Sequence, residues 1–474
     1  MTLPQLGASP QTPVTEAGAR ELDLGDPGYR DRFATPPAEG GAYPDAAYFA
    51  GNSLGLQPLA VREELLQDLD DWARLGVEGH LEARRPWLPY HALLTGTAAR
   101  LAGALPAETV IMNSLTVNLH LLMVSFYRPE GARTKIVIED SAFPSDSYAV
   151  RSQARFHGLD PDTTVVRLET HEVLDFLERA GNTVALVLLG GVNYLTGELL
   201  DIPAITAAGH AAGAVVGWDL AHAAGNVPLR LHDWGPDFAA WCSYKYLNSG
   251  PGAAAGVFVH ERHLGDASLP RFEGWWSTEE ASRFEMAPVS SPPSTVEAWQ
   301  VSNPPILAMS PVRTSLAIFD EIGMESLRAR SVRLTGYLEK LLDGIVPGRP
   351  ITVLTPRDPG KRGCQLSLRV SDADDVSRRL RLEHGVVTDA RKPDVVRLAP
   401  VPLYSSYHDC WRVATALAAV TEDHTGQPRG RSGSKEDRSG AGVPHERRGT
   451  GRSGGDGGAR ALEDRSGAGV PHEH

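Results

Sequence analysis

The sequence has little cysteine, no long apolar run and no excess of positive charge. Cys242, Cys364 and Cys410 are the three cysteines among 474 residues; they cannot all pair and show no Cys-x-x-Cys spacing, which argues against a disulfide scaffold or a zinc module. That usage fits a reducing compartment. No segment approaches the roughly 18 consecutive apolar residues of a membrane span, and the opening MTLPQLGASPQTPVTEAGARELDL lacks a basic start before an apolar core. The expectation is a cytoplasmic protein with no membrane partner. With 46 basic against 59 acidic side chains the net charge is -13, so nucleic acid and acidic membrane are disfavoured as partners.

What is present is a large apolar inventory: 42% hydrophobic residues with 9 Trp and 12 Tyr, enough for a sizeable core in two or three domains. The charge is unevenly spread. The last 50 residues, Thr425 to His474, carry 9 basic and 7 acidic side chains, 13 of the 48 Gly and no Phe, Trp, Tyr or Ile, which leaves a body of 424 residues at -15. Within this tail Glu436 to Glu446 recurs as Glu463 to Glu473. Two copies of eleven residues with almost no large apolar side chain cannot bury a core, so residues 425–474 are expected to be a solvated tail.

Residues 1–45, rich in Pro, Gly and Ala, read as an N-terminal arm. Residues 46–310 read as a large domain in which, from Tyr48 to about Glu261, short apolar runs alternate with helical patterns. Lys135–Glu139, Val184–Leu189, Ala214–Trp218 and Gly256–His260 read as buried strands, and Thr116–Phe126 and Pro203–Ala212 as helices, the second with Pro203 in its first turn. Such alternation implies an α/β fold with a mostly parallel sheet covered by helices, which binds ligands at the carboxyl ends of its strands. Residues 311–424 read as a smaller α+β domain: a long helix Val312–Leu342, strands Gln365–Val370, Val386–Thr388 and Val395–Leu398, and a last helix near Asp409–Val420.

The chemistry concentrates in Trp218-Asp-Leu-Ala-His222 and Ser243-Tyr-Lys-Tyr-Leu-Asn248. An acidic residue ending a buried strand, then a lysine at a later strand-to-loop junction, suits a pyridoxal phosphate site. The Lys245 amine condenses with the cofactor aldehyde, and the Asp219 carboxylate keeps the pyridine nitrogen protonated so that the ring takes up charge. Alone, Lys245 would pass for a surface lysine and Asp219 for a capping carboxylate. Trp241, Tyr244 and Tyr246 surround Lys245 with aromatic rings, and a Gly-rich turn follows. His222 with Asp219 has no further ligand spacing, so no metal is expected. Asn113-Ser-Leu-Thr-Val-Asn118 puts two hydroxyls where a helix begins, equally suited to a phosphate or to a plain cap. Phe143-Pro-Ser-Asp146 offers an aromatic face, or simply a turn.

Taken in order, Gly51-Asn-Ser-Leu-Gly-Leu-Gln57, Arg85-Pro-Trp87, Leu115 to Leu122, Phe143 to Asp146 and Asn193-Tyr-Leu-Thr-Gly197 resemble the kynureninase family. So do Trp218 to His222, Ser243 to Asn248, Gly274-Trp275, Ser302-Asn-Pro-Pro305 and Arg397 to Tyr404, and the resemblance spans about Tyr48 to Val420. It implies a fold type I pyridoxal phosphate enzyme with a large cofactor domain and a smaller C-terminal domain. It also implies a homodimer with sites at the subunit interface, acting in tryptophan catabolism and NAD biosynthesis. The implied reaction is hydrolysis of a small-molecule substrate, L-kynurenine or its 3-hydroxy derivative, to an anthranilate and L-alanine. By the same resemblance Lys245 is the cofactor-linked lysine, Asp219 the partner of the pyridine nitrogen, and His222 and Tyr244 line the cofactor. Leu115 and Thr116 contact the phosphate, Phe143 covers the ring, and Asp146 joins the cofactor network. Trp275 and Asn303 close the site from the neighbouring subunit, Arg397 clamps the substrate carboxylate, and Ser53 and His80 lie near the substrate. One departure is visible: Gly190 stands where the family often has Ser or Thr, which removes a phosphate hydroxyl.

For catalysis the resemblance assigns Lys245 to α-proton removal and Asp219 to charge on the ring, with Tyr244 a candidate donor to the oxyanion of the hydrated ketone. Two rivals share parts of this pattern. A class V aminotransferase or desulfurase has the same fold, the desulfurase needing a mobile nucleophilic cysteine; a cofactor-binding regulator would lack turnover despite an intact Lys245, Asp219 and Arg397.

Overall fold

In the computed structural model the described residues are 14–422. The repeated tail lies outside them, as do residues 1–13. Seven strands form the larger sheet: β1 (Thr109–Met112), β2 (Lys135–Glu139), β3 (Val165–Leu168), β4 (Val184–Gly190), β5 (Val215–Asp219), β6 (Phe238–Trp241) and β7 (Ala255–Val259). Their order is β1-β7-β6-β5-β4-β2-β3. The pairings from β3 across to β6 are parallel, and β7 runs antiparallel to both its neighbours. β4 is apolar along its length because both its faces are covered. Leu189, Val216 and Trp218 belong to the cluster on one face, and Ile136, Leu186 and Phe238 to that on the other.

Parallel strands set their carboxyl ends side by side, so β2 delivers Glu139, β4 Gly190 and β5 Asp219 to one edge. Just past β6, the chain reaches Tyr244 and Lys245 at the same edge. This alignment, produced by strand polarity alone, makes the site.

A second sheet, β8 (Ile351–Val353), β9 (Leu366–Val370), β10 (Asp389–Arg391) and β11 (Val395–Leu398), is antiparallel with the order β8-β9-β11-β10. Its core is shared with helices Met324–Ile345, Ala373–His384 and Tyr407–Glu422. The expected single helix Val312–Leu342 is two helices, Ile306–Ile322 and Met324–Ile345. Gly323, at φ 83, separates them; only glycine takes that conformation without strain, so the periodicity continues while the axis breaks. Pro311, expected at a boundary, lies buried inside the first of these helices.

The N-terminal region contributes an element that its composition concealed. Thr15 caps helix Glu16–Gly25 by accepting from Gly18 N at 3.2 Å. This helix buries Ala19 against the small domain, and its Asp23 carboxylate accepts from Tyr407 N and His408 N at 2.7 and 3.1 Å. A carboxylate from one helix thereby satisfies the opening N–H groups of another.

Candidate active site

At the carboxyl edge a cleft is lined by Leu115, Thr116, Glu139, Phe143, Asp146, Gly190, Tyr194, Asp219, His222, Tyr244 and Lys245, with Ser114, Ser145, Val192 and Ala221. Eight residues expected from sequence as cofactor contacts therefore meet in one place: Leu115, Thr116, Phe143, Asp146, Asp219, His222, Tyr244 and Lys245.

Asp219 ends β5 at 7% exposure, and its Oδ1 accepts from Ala221 N at 2.7 Å. Burial raises its pKa; the Ala221 N–H and the Lys245 ammonium oppose that rise. Asp146, buried beside it, is pushed well above the usual carboxylate range by burial and by the Asp219 charge. Both carboxyls of this buried pair are thus raised, with burial the first cause in each. Lys245 Nζ lies 3.0 Å from His222 Nε2. Burial and then the Lys245 charge hold the His222 pKa well below that of ordinary histidine, so the ring is neutral and accepts from the lysine at Nε2. Its Nδ1 is buried without a protein partner.

Across the cleft, helix Leu115–Phe126 begins after Ser114, whose side chain makes no cap hydrogen bond. Its first N–H groups stay available to an anion. Asn113 turns the chain from β1 into this helix at φ 47, a conformation asparagine tolerates, and donates through Nδ2 to Asn118 Oδ1 at 3.0 Å. Thr116 Oγ1 and Ser145 Oγ stand 2.7 Å apart beside the helix start. Phe143, 41% exposed, packs edge-on against Tyr194 with centroids 5.2 Å apart. These features fit pyridoxal phosphate: a helix terminus and two hydroxyls for the phosphate, an aromatic face for the ring, a buried carboxylate for the pyridinium and a half-buried lysine for the aldehyde. Gly190 N donates to Glu139 Oε2 at 2.9 Å, and a Cβ at Gly190 would lie 2.9 Å from that same oxygen. The carboxylate occupies the space that a Ser or Thr side chain needs.

The remaining expected residues stand outside this lining. Arg397, on β11 and 1% exposed, donates through Nη2 to Asp389 Oδ2 at 2.6 Å and through Nη1 to the Tyr194 carbonyl at 2.7 Å. Its Nε has no partner. Ser53 sits in the turn after Ala50, and His80 packs edge-on against Trp87 at 5.4 Å. Trp275, 39% exposed, packs on Phe284, and Asn303 is exposed. Sequence reasoning missed Glu139 and did not weigh Ser145 separately from its motif. Glu139 carried one usable signal, an acidic residue closing an otherwise apolar strand. Cys242, Cys364 and Cys410 are all buried and unpaired, and burial pushes the Cys364 thiol up to about 12, unlike a mobile nucleophile.

Residues 327–417 match the model of the kynureninase C-terminal domain. Curated kynureninases resemble the chain over most of its length. The one from Salinispora tropica is 73% identical over 420 residues, covering 86% of this chain and 98% of its own. The one from Myxococcus xanthus is 54% identical over 415 residues, covering 85% and 96%. Among solved structures, a complex of the cystine C-S lyase C-DES with its product cysteine persulfide aligns with TM-score 0.69 and 17% identity, covering 79% of this chain and 97% of that one. A cysteine desulfurase from Escherichia coli aligns with TM-score 0.64 and 18% identity, covering 83% and 98%; at such identities the likeness concerns the fold. The relatives' extent and identity, together with the assembled cleft, establish that the chain belongs to the kynureninase family of fold type I pyridoxal phosphate enzymes.

Proposed function

We propose that the cleft at the carboxyl edge carries the family's reaction, hydrolysis of L-kynurenine or its 3-hydroxy derivative to an anthranilate and L-alanine, with the following division of labour. The observation that carries this reading is Lys245 Nζ held 3.0 Å from the neutral His222, next to the buried Asp219. Pyridoxal phosphate, when bound, supplies the electron sink that makes the substrate's α-proton acidic and its side-chain ketone cleavable. Lys245 Nζ takes and returns that proton, and His222 Nε2 orients the amine by accepting from it. Asp219 holds a proton on the pyridine nitrogen, and Asp146, buried beside it, belongs to the same cofactor network. Thr116, with Ser145 and the helix terminus at Leu115, binds the phosphate; Phe143 excludes water from one face. Tyr244 donates to the oxyanion formed when water adds to the ketone: burial pushes its phenol pKa up, so it stays a donor at neutral pH.

Arg397 binds the substrate α-carboxylate, a role suited to its planar fork of donors, of which Nε is buried without a protein partner. Ser53 and His80 approach the substrate. Trp275 and Asn303 complete the site of a neighbouring copy in a cytoplasmic homodimer, in keeping with their surface positions. No helix among the described residues is long and apolar enough to cross a membrane.

Release of fluorescent anthranilate from L-kynurenine, measured beside 3-hydroxykynurenine, tests the reaction; keto acid or sulfide without an anthranilate rejects it. Mixing inactive Lys245→Ala with inactive Asn303→Ala subunits tests the shared site. Recovery of up to about a quarter of wild-type activity is the outcome expected of random reassociation into two-fold dimers; no recovery would place Asn303 in its own subunit's site.

A further inference from the structure

The turn Asn193–Gly197 joins three parts of the site. Its hub is Asn193, a buried side chain whose hydrogen-bonding capacity is fully used. Nδ2 donates to Glu139 Oε1 at 2.8 Å and to Ser141 Oγ at 2.9 Å. Oδ1 accepts from Leu195 N and Thr196 N, both at 2.9 Å. An amide has two donors and two acceptor sites, so this one has a single orientation. Glu139, 4% exposed, closes the other side by accepting from Gly190 N at 2.9 Å.

The residue held between these anchors is Tyr194. Its ring lines the cleft and packs against Phe143, while its carbonyl, facing the small domain, accepts from Arg397 Nη1 at 2.7 Å and Gln365 Nε2 at 3.0 Å. Gln365 Oε1 in turn accepts from Asn52 Nδ2 at 2.8 Å, next to Ser53. A guanidinium with Nη2 committed to Asp389 and Nη1 to one carbonyl has its plane set by those two acceptors, and that plane decides where Nε points.

We propose that Asn193 and Glu139 are positioning residues for the substrate carboxylate: they lock the 193–197 turn so that the Tyr194 carbonyl aims Arg397, coupling the floor of the cofactor cleft to the small domain. Neither residue touches the substrate. The inference rests on the reading of Arg397 as the carboxylate clamp, and it adds that the clamp's geometry is set from the opposite domain by a side chain 204 positions earlier in the chain.

The test uses the holoenzyme and separates the two ideas. Asn193→Ala is expected to raise the KM for L-kynurenine and the Kd for L-alanine, measured by calorimetry without turnover, by about 10-fold. Its kcat should stay within about 3-fold and its borohydride-fixed cofactor on Lys245 at wild-type yield. Discrimination between L-kynurenine and its α-carboxamide, which lacks the anion, should fall by the same factor. Asn193→Asp keeps the acceptor of the turn but loses the donor to Glu139, and Glu139→Gln keeps shape while spoiling one acceptor; both should shift the L-alanine Kd in the same direction by less. An unchanged acid-to-amide discrimination in Asn193→Ala with Arg397→Ala still defective overturns the positioning role while leaving the clamp standing. If Arg397→Ala itself leaves that discrimination unchanged, the clamp reading fails, and this proposal with it. Should Asn193→Ala not fold, the two milder variants decide, and wild-type L-alanine affinity in both overturns the proposal.

Discussion

Carboxylates sit at both ends of the seven-stranded sheet, and the two ends treat them oppositely. At the amino end of β6, burial alone would raise the Asp237 pKa, but hydrogen bonds from His210, His263 and Arg262, at 2.9, 2.8 and 2.6 Å, and from Val216 N at 2.7 Å hold it well below the usual carboxylate range. At the carboxyl end, burial raises Asp146 and Asp219 and pushes Glu139 up to about 7, with fewer donors to oppose it. The first end is paired for stability. The second keeps its charges under-compensated, as a site awaiting a cationic ring must, and a stable scaffold elsewhere offsets that cost.

The comparison breaks most visibly at Lys245. Lys245→Ala should lower kcat by about 10⁴-fold or more and abolish borohydride-fixed cofactor, with little loss of thermal stability; retained turnover would refute its role. Arg397→Ala should raise KM for L-kynurenine by about 100-fold. Because Asp389 loses its buried partner and keeps only Arg391 at 3.0 Å, unfolding should also become easier by on the order of 2 kcal/mol; an unchanged KM would move the clamp elsewhere. Asp237→Asn, at the amino end, should cost about 2 kcal/mol in denaturant unfolding while leaving kcat and KM alone, and a large kcat loss would contradict the division between the ends.

The two ends also differ in pH dependence. Glu139 binds its proton more tightly folded than unfolded, so its contribution is full below its ordinary 4.5 and is lost as pH rises through about 7, on the order of 3 kcal/mol. Asp237 has the opposite sign: its contribution is present above its ordinary 3.8 and is lost as pH falls below it. Thermal scans of cofactor-free protein should show Glu139→Gln flattening the slope between about pH 5 and pH 8, and Asp237→Asn flattening the acid limb. Identical profiles for both variants would erase the distinction.

The legible part of the site is the part built from strand ends. Asp219, His222, Tyr244 and Lys245 lie on two short motifs, each read as a strand entering a loop, and parallel polarity does the rest. Arg397 could be named from its motif, but its pairing with Asp389 depends on the register between β10 and β11, where those residues are direct partners. Glu139, and the part that Asn193 plays within its motif, escaped because the contacts that join them are long-range: Asn193 lies 54 residues from Glu139 and 52 from Ser141, and its local bonds to Leu195 N and Thr196 N alone would mark only a turn. The break at Gly323 escaped because a single glycine is tolerated inside a helical pattern, and only packing decides whether it takes a positive φ.

By itself the sequence determined the alternation of apolar runs and helices, hence a mostly parallel sheet, and the residue types at its carboxyl edge, because periodicity and strand polarity are local properties. Tertiary structure decided which carboxyls are buried side by side, what fills the space beside Gly190, and which acceptors hold Arg397. Those outcomes depend on burial and on distances between side chains remote in the chain, and a buried group's protonation and orientation follow from its neighbours in space.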